Sequence, residues 1–223
     1  MSTIANISGP EQPPAKGEAK QLVVFLHGWG ADGNDLIGLA REWAGLMPGA
    51  QFVSPHAHEA CEGNPMGRQW FSFRDETPEA ITAKAAEAGA IINQFIDGEL
   101  ERLGLDDSQL GLVGFSQGAM MSVYVALRRA KPCAAVVGYS GAIIASETIE
   151  AEIRSRPPML LAHGETDQVV PFTSLGASVQ MLGQYDVPVR WHACPRLGHG
   201  IDGVGLEMGG EFLHDGFKDA AKP

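Results

Sequence analysis

Residues 112–119, Leu-Val-Gly-Phe-Ser-Gln-Gly-Ala, constrain the fold of this chain more than any other segment. An apolar run enters a G-x-S-x-G pattern, and a second apolar run with helical spacing (Met120, Met121, Val123, Tyr124, Leu127) leaves it. A strand that turns into a helix within a single residue is strained, and glycines at 114 and 118 let the backbone bend there without side-chain clashes. Such a turn lifts the hydroxyl of Ser116 above a sheet. It also leaves the amide of Gln117 at a helix N-terminus without an intrahelical acceptor. A five-residue match arises by chance, so the weight rests on the strand before it and the helix after it.

The rest of the chain supplies the layers such a turn needs. Continuous apolar runs at 22–27, 51–54, 109–115, 134–139, 158–163 and 187–192 predict strands buried on both faces. Helical patterns fall between and after them at 33–46, 78–103, 117–130, 173–184 and 205–220, with a weaker one at 146–154. Alternation of this kind predicts an α/β fold with a mostly parallel central sheet and helices on both faces. We find no repeat, linker or low-complexity tract, so 1–223 is expected to be one domain, with 1–20 an irregular or edge segment. A length of 223 residues suits one full core.

Charge and cysteine usage exclude several partners. The formal net charge is −11, and the densest basic spot is only Arg128, Arg129 and Lys131, which argues against nucleic acid. The first twenty residues carry no apolar h-region, and the stretch 133–145 is too short and Gly-interrupted to span a bilayer, so no stable membrane insertion is expected. Cys61, Cys133 and Cys194 are odd in number and widely spaced, which fits a reducing, cytoplasmic setting.

A serine hydroxyl needs a base to take its proton and a third group to orient that base. His163-Gly164-Glu165-Thr166-Asp167 follows one candidate strand, and Leu197-Gly198-His199-Gly200 follows the last. The order Ser116, Asp167, His199 is that of the α/β-hydrolase fold. His199 lies on a Gly-flanked loop, whereas His163 and His192 stand at strand ends and His214 in a helix, where structural roles are expected. For the acid, Glu165 competes with Asp167, and the loop favours the later residue. His56 and His58 form an H-x-H pair with no further ligand at metal spacing, so no metal and no cofactor is expected. Gly28, Gly30 and Gly33 spell G-x-G-x-x-G, but Ser54-Pro55 stands where a dinucleotide site wants an acidic residue. The same loop, His27-Gly28-Trp29-Gly30, is better placed to offer the Trp29 amide beside that of Gln117 as a pair of oxyanion donors.

Five segments, 22–36, 63–71, 112–120, 163–171 and 197–200, together resemble the phospholipase/carboxylesterase family of α/β hydrolases in the expected order along the chain. That family includes bacterial carboxylesterases and acyl-protein thioesterases. The resemblance implies Ser116, Asp167 and His199 as a triad and the Trp29 and Gln117 amides as the oxyanion hole. Trp29 departs from it, since Leu or Tyr is more usual there, and this bears on acyl-pocket size. The implied reaction is hydrolysis of short- to medium-chain carboxylic esters through an acyl-enzyme. An acyl-protein thioesterase or lysophospholipase is the alternative, and a non-catalytic binding module of the same fold a distant one. Cysteine at the elbow, as in dienelactone-type hydrolases, or aspartate, as in dehalogenases, is absent. Only 141–156 separates two candidate strands where a cap would be inserted, so no cap domain is expected. The loop 55–76 is the other candidate cover, with Met66, Trp70 and Phe71, beside Trp29, expected to wall the acyl pocket and Phe73 to pack the domain edge. The expected partner is a small ester or thioester, with a homodimer left open.

Overall fold

The computed structural model describes residues 6–74 and 77–222. Of the segments discussed above, 1–5, 75–76 and 223 therefore lie outside the described residues. In chain order the strands are β1 Glu11–Gln12, β2 Gln21–Leu26, β3 Ala50–Val53, β4 Glu59–Ala60, β5 Arg68–Gln69, β6 Leu110–Phe115, β7 Ala135–Tyr139, β8 Met159–Gly164 and β9 Val189–Cys194. The helices are α1 Gly33–Leu36, α2 Leu39–Trp43, α3 Pro78–Leu103, α4 Gln117–Arg128, α5 Ile149–Glu152, α6 Thr173–Gln184 and α7 Gly203–Ala220. The central sheet runs β1-β3-β2-β6-β7-β8-β9 and is parallel except for the β1–β3 pair at its edge.

The apolar runs are continuous because alternate residues feed two cores. Leu22, Val24, Leu26, Leu112, Val136 and Leu161 pack on one face with α3, α4 and α6. Val23, Phe25, Val113, Val137 and Leu160 pack on the other with α2 and α7. Each such side chain withdrawn from water contributes roughly 1.5–3 kcal/mol, so the two faces supply most of the driving force. The outermost strand, β9, shows the contrast: its outer positions are open, and Trp191 is exposed.

Local signals place the long helices. Thr77 accepts from the Ala80 amide to cap α3, Pro78 occupies its first turn, and Gly104 ends it at φ +67°. Arg129 ties α4 back to α3, its guanidinium meeting Asn93 and Asp97 at 2.8 Å and Asp107 at 2.5 Å. Leaving one partner of so buried a charge alone costs about 3–5 kcal/mol.

Three expectations are corrected. The helix expected over 33–46 is two short helices, broken at Ile37 and Gly38, the latter a poor helix former. The strand expected over 187–192 runs instead over Val189–Cys194. Val187 is buried in the turn after α6, its amide bonded to Leu182, so its apolar character reports packing and not pairing. The loop 55–76 contains a small antiparallel hairpin, β4–β5, which periodicity does not reveal in two-residue strands. Between β7 and β8, residues 140–158 hold only a 3-10 turn at Ser146–Thr148 and the four-residue α5, leaving no room for a cap.

Candidate active site

Five loops leave the carboxyl ends of parallel strands along one edge of the sheet, after β2, β6, β7, β8 and β9. Residues far apart in sequence meet there.

Ser116 sits between β6 and α4 at φ +54°, ψ −119°, a conformation few non-glycine residues adopt. The strain is held from both sides. A Cβ on Gly114 would overlap the Gly118 carbonyl, and one on Gly118 would overlap the carbonyls of Leu26 and His27. The Ser116 amide donates to the Tyr139 carbonyl at 2.9 Å, and its own carbonyl accepts the first helical bond from Met120 at 3.1 Å.

The loop after β2 lies against this turn. A Cβ on Gly28 would stand 3.4 Å from Cβ of Ser116 and 3.1 Å from the Phe115 ring. Neither the Trp29 nor the Gln117 amide meets a hydrogen-bond acceptor among the described residues. The hairpin braces that loop: Gly30 donates to the Arg68 carbonyl at 2.9 Å, Arg68 to Ala31 at 2.7 Å, and Asn64 Nδ2 to the Gly30 carbonyl at 2.8 Å. His27, buried at the end of β2, donates through Nδ1 to the Gly28 carbonyl at 2.8 Å and accepts at Nε2 from the Ala57 amide at 3.0 Å. Burial holds its pKa down to about 4, so the ring is neutral.

Asp167, on the loop after β8, meets His199, on the loop after β9. Its Oδ2 lies 2.7 Å from His199 Nδ1, and its Oδ1 accepts from the amides of Val169 and Val170 at 2.8 and 2.9 Å. Burial pushes this carboxyl upward, but the hydrogen bonds from His199 and the two amides outweigh it and hold the group below the usual carboxylate range. Glu165 is exposed, and Asp167 is the acid that meets the imidazole. The His199 ring rests against Phe115, the residue before Ser116, with centroids 4.8 Å apart. His163 is buried, bonded to the Val170 carbonyl at 2.9 Å and 3.4 Å from Asp167 Oδ2. His56 accepts from the Gly33 amide at 3.1 Å, and His58 lies 3.7 Å from Glu59.

The residues expected to wall an acyl pocket are dispersed. Trp70 and Phe71 are 0% and 1% exposed and belong to the core under α4. Their backbone is what reaches the site, since the Trp70 amide donates to Gln117 Oε1 at 2.8 Å and Gln117 Nε2 donates to the Phe71 carbonyl at 2.7 Å. The Trp70 indole donates to the His27 carbonyl at 2.9 Å. Trp29, 38% exposed, turns its indole towards the hairpin, donating to Gln69 Oε1 at 3.0 Å and covering Gly63. Met66 is 89% exposed at the hairpin turn. Beside the start of α4, a small separate pocket is lined by Ala119, Val123, Gly141, Ile143, Leu161 and Leu175, with room for about one water (about 10 Å³). Two further residues escaped the sequence. Ser140, at φ +50° after β7, donates to the Gly200 carbonyl at 3.3 Å and so ties down the histidine loop. The Gln117 side chain bridges to a segment 46 residues away. A polar residue inside an otherwise apolar helix start was the available signal for Gln117, and Tyr139-Ser140-Gly141 at a strand end was the signal for Ser140.

This fold and elbow define an α/β hydrolase. The profile of the family described as Phospholipase/Carboxylesterase matches residues 10–215, and the chain belongs to that family. It is similar to the acyl-protein thioesterase 1 of Schizosaccharomyces pombe, 30% identical over 72% of this chain and 74% of that protein. It is also similar to the esterase YpfH of Escherichia coli, 28% identical over 93% of this chain and 85% of that one. Among solved structures, esterase PE8 superposes with a TM-score of 0.90 at 40% identity, covering 95% of this chain and 99% of the other.

Proposed function

We propose that this protein is a serine carboxylesterase that cleaves short- to medium-chain carboxylic esters through an acyl-enzyme, with no metal or cofactor in the chemistry. Ser116 attacks the ester carbonyl while His199 takes its proton. The amides of Trp29 and Gln117 receive the developing oxyanion, and Asp167 holds the imidazole with its second nitrogen free for the serine. Collapse of the tetrahedral adduct expels the alcohol, which takes the proton from His199. Water then repeats the sequence to free the acid. The observation that carries this reading is the 2.7 Å Asp167–His199 hydrogen bond, with that imidazole set against the residue preceding Ser116.

Apolar side chains beside the start of α4, Ala119, Val123 and Ile143 among them, support an acyl substituent over a polar one, and the absence of a cap between β7 and β8 supports a short one. Each methylene buried against apolar surface contributes about 0.8 kcal/mol, so rates rise with chain length only while further methylenes find surface to cover. A panel of p-nitrophenyl esters tests this. Rates should climb from C2 to about C4–C8 and then fall, while an optimum at C16 would overturn the chain-length assignment. A second reading is thioester or lysophospholipid hydrolysis, favoured by relatives named as acyl-protein thioesterases. A higher kcat/KM on acyl thioesters than on oxyesters of equal length would install it. Three buried, unpaired cysteines support a reducing, cytoplasmic location. No helix among the described residues is long and apolar enough to cross a membrane.

A further inference from the structure

Away from the residues assigned above, one mixed cluster of ligand-type side chains forms among the described residues. His192 and Cys194 on β9 and Asp202 before α7 each bring one donor atom within 4.8 Å of the other two. His192 and Cys194 are two apart on a strand and share one face, opposite Ala162 and Gly164 of β8. Asp202 reaches them because it caps α7, accepting from the Gly205 amide at 2.7 Å through Oδ1. The same carboxylate meets the Cys194 thiol in a hydrogen bond, which an ion bound to both groups would replace. Cys194 is buried whereas His192 and Asp202 are partly open, which gives an ion a way in. Nε2 of His192 is buried and has no hydrogen-bond partner, an arrangement that costs stability unless something occupies it.

We propose that His192, Cys194 and Asp202 bind one divalent transition-metal ion of the zinc type. Imidazole nitrogen, thiolate sulfur and carboxylate oxygen form a donor set that suits zinc and discriminates against magnesium and calcium, which prefer all-oxygen shells. Three protein ligands and one water complete a tetrahedron. As the metal–sulfur bond forms, the Cys194 thiol gives its proton to solvent. The thiolate and carboxylate then neutralise the double positive charge, so one proton is released per ion bound. This assignment does not rest on the hydrolytic reading. Its consequence touches the same loop, however, because residues 195–201, which carry His199, run between two of the ligands. That loop is otherwise fastened by the Thr166 amide and hydroxyl to the Leu197 carbonyl, at 2.9 and 2.8 Å, and by Ser140 to Gly200. An ion joining Cys194 to Asp202 would secure both ends at once.

The test uses the full chain, freed of metal by a chelator that is then removed. Titration with zinc chloride should show one ion and one released proton per chain, and magnesium chloride should show no binding. Cobalt chloride should give a thiolate-to-metal charge-transfer band. Zinc should also slow amide exchange across 195–201. Asp202→Asn preserves the helix cap, and Cys194→Ser preserves side-chain size. Each should weaken zinc binding at least about tenfold, and the serine variant should abolish the cobalt band. Should Cys194→Ser not fold, Asp202→Asn and His192→Gln decide the matter. Ser116→Ala should bind zinc like the unaltered chain, which separates this site from the hydrolytic reading. The proposal is overturned if micromolar zinc gives no stoichiometric binding. It is equally overturned if binding survives these ligand substitutions or is lost with His56→Gln instead.

Discussion

The two sides of Ser116 are held by different means. On the β2 side, the loop carrying Trp29 is locked by Arg68, Asn64 and the buried His27, and Gln117 is clamped to the backbone of Trp70 and Phe71. Nearly every restraint is a hydrogen bond inside the fold, and a Cβ on Gly67 would overlap the Gly30 carbonyl. On the β9 side, His199 is joined to Asp167, and its loop is tied by Thr166 and Ser140. The lesson is a division of labour. In the proposed reaction, the donors for the oxyanion are built into a rigid frame, while the group that would move the proton sits on a loop with fewer restraints.

That contrast can be broken most forcefully at the groups proposed to react. Ser116→Ala or His199→Ala should lower kcat on a short ester by at least about 10⁴-fold, and Asp167→Asn by about 10³–10⁴-fold, with thermal stability nearly unchanged for Ser116→Ala. Steady-state kinetics on p-nitrophenyl acetate reads both. On the rigid side, Gln117→Ala keeps its amide but removes the clamp on Trp70 and Phe71. It should cost about 10–100-fold in kcat with little change in KM, because the donor is displaced and not lost. It should also cost about 1–3 kcal/mol of stability, since the Trp70 amide is left buried and unpaired. If Gln117→Ala loses only stability, the frame supports the fold but not the oxyanion.

Acid probes the same comparison. His27 is held down to about 4 from 6.5, so between those values the unfolded chain binds a proton that the folded chain refuses. Stability therefore falls as pH drops through that window, by about 3 kcal/mol at most, and levels off below it. Burial is the main cause, and a second ring proton at Nε2 would in addition face the Ala57 amide, two donors opposed. His27→Gln should flatten this dependence in chemical denaturation. Asp167, whose carboxyl is depressed, contributes stability above the ordinary carboxylate range and loses it only as pH falls through its lower folded value. The β2 side should thus loosen first in acid. The smallest effect is expected at Trp29→Leu, which frees Gln69 and uncovers Gly63 without touching the amide. Because the indole faces the hairpin, the acyl-length optimum should stay where it is, with kcat on acetate within about threefold; an optimum displaced by several carbons would place the indole against the acyl chain.

Much of this was legible before the structure, for reasons that differ by residue. The strand-to-helix turn at Ser116 was readable because its geometry needs glycines at fixed offsets, and Gly114 and Gly118 are each pressed against backbone. The strands were readable because both faces are covered; α3 has the expected bounds because caps and periodicity agree, and α6, which has no side-chain cap, because its apolar periodicity alone marks it. Trp70 and Phe71 were harder. Their apolar character says that they leave water, not which surface they leave it for, and the core under α4 accommodates them entirely. The Gln117 side chain could not be placed at all, since its partners lie 46 and 47 positions away. The expected strand over 187–192 missed by two residues because a buried valine in a turn looks, in one dimension, like a paired one.

The central claim is that Ser116 is an activated nucleophile, and labelling with a fluorophosphonate followed by peptide mass mapping tests it most directly. The expected result is one adduct per chain, on the peptide bearing Ser116. It should form rapidly in the unaltered protein, at least about 10²-fold more slowly in Asp167→Asn, and not at all in Ser116→Ala. Labelling of another residue, or equal labelling in the Asp167→Asn protein, would contradict it.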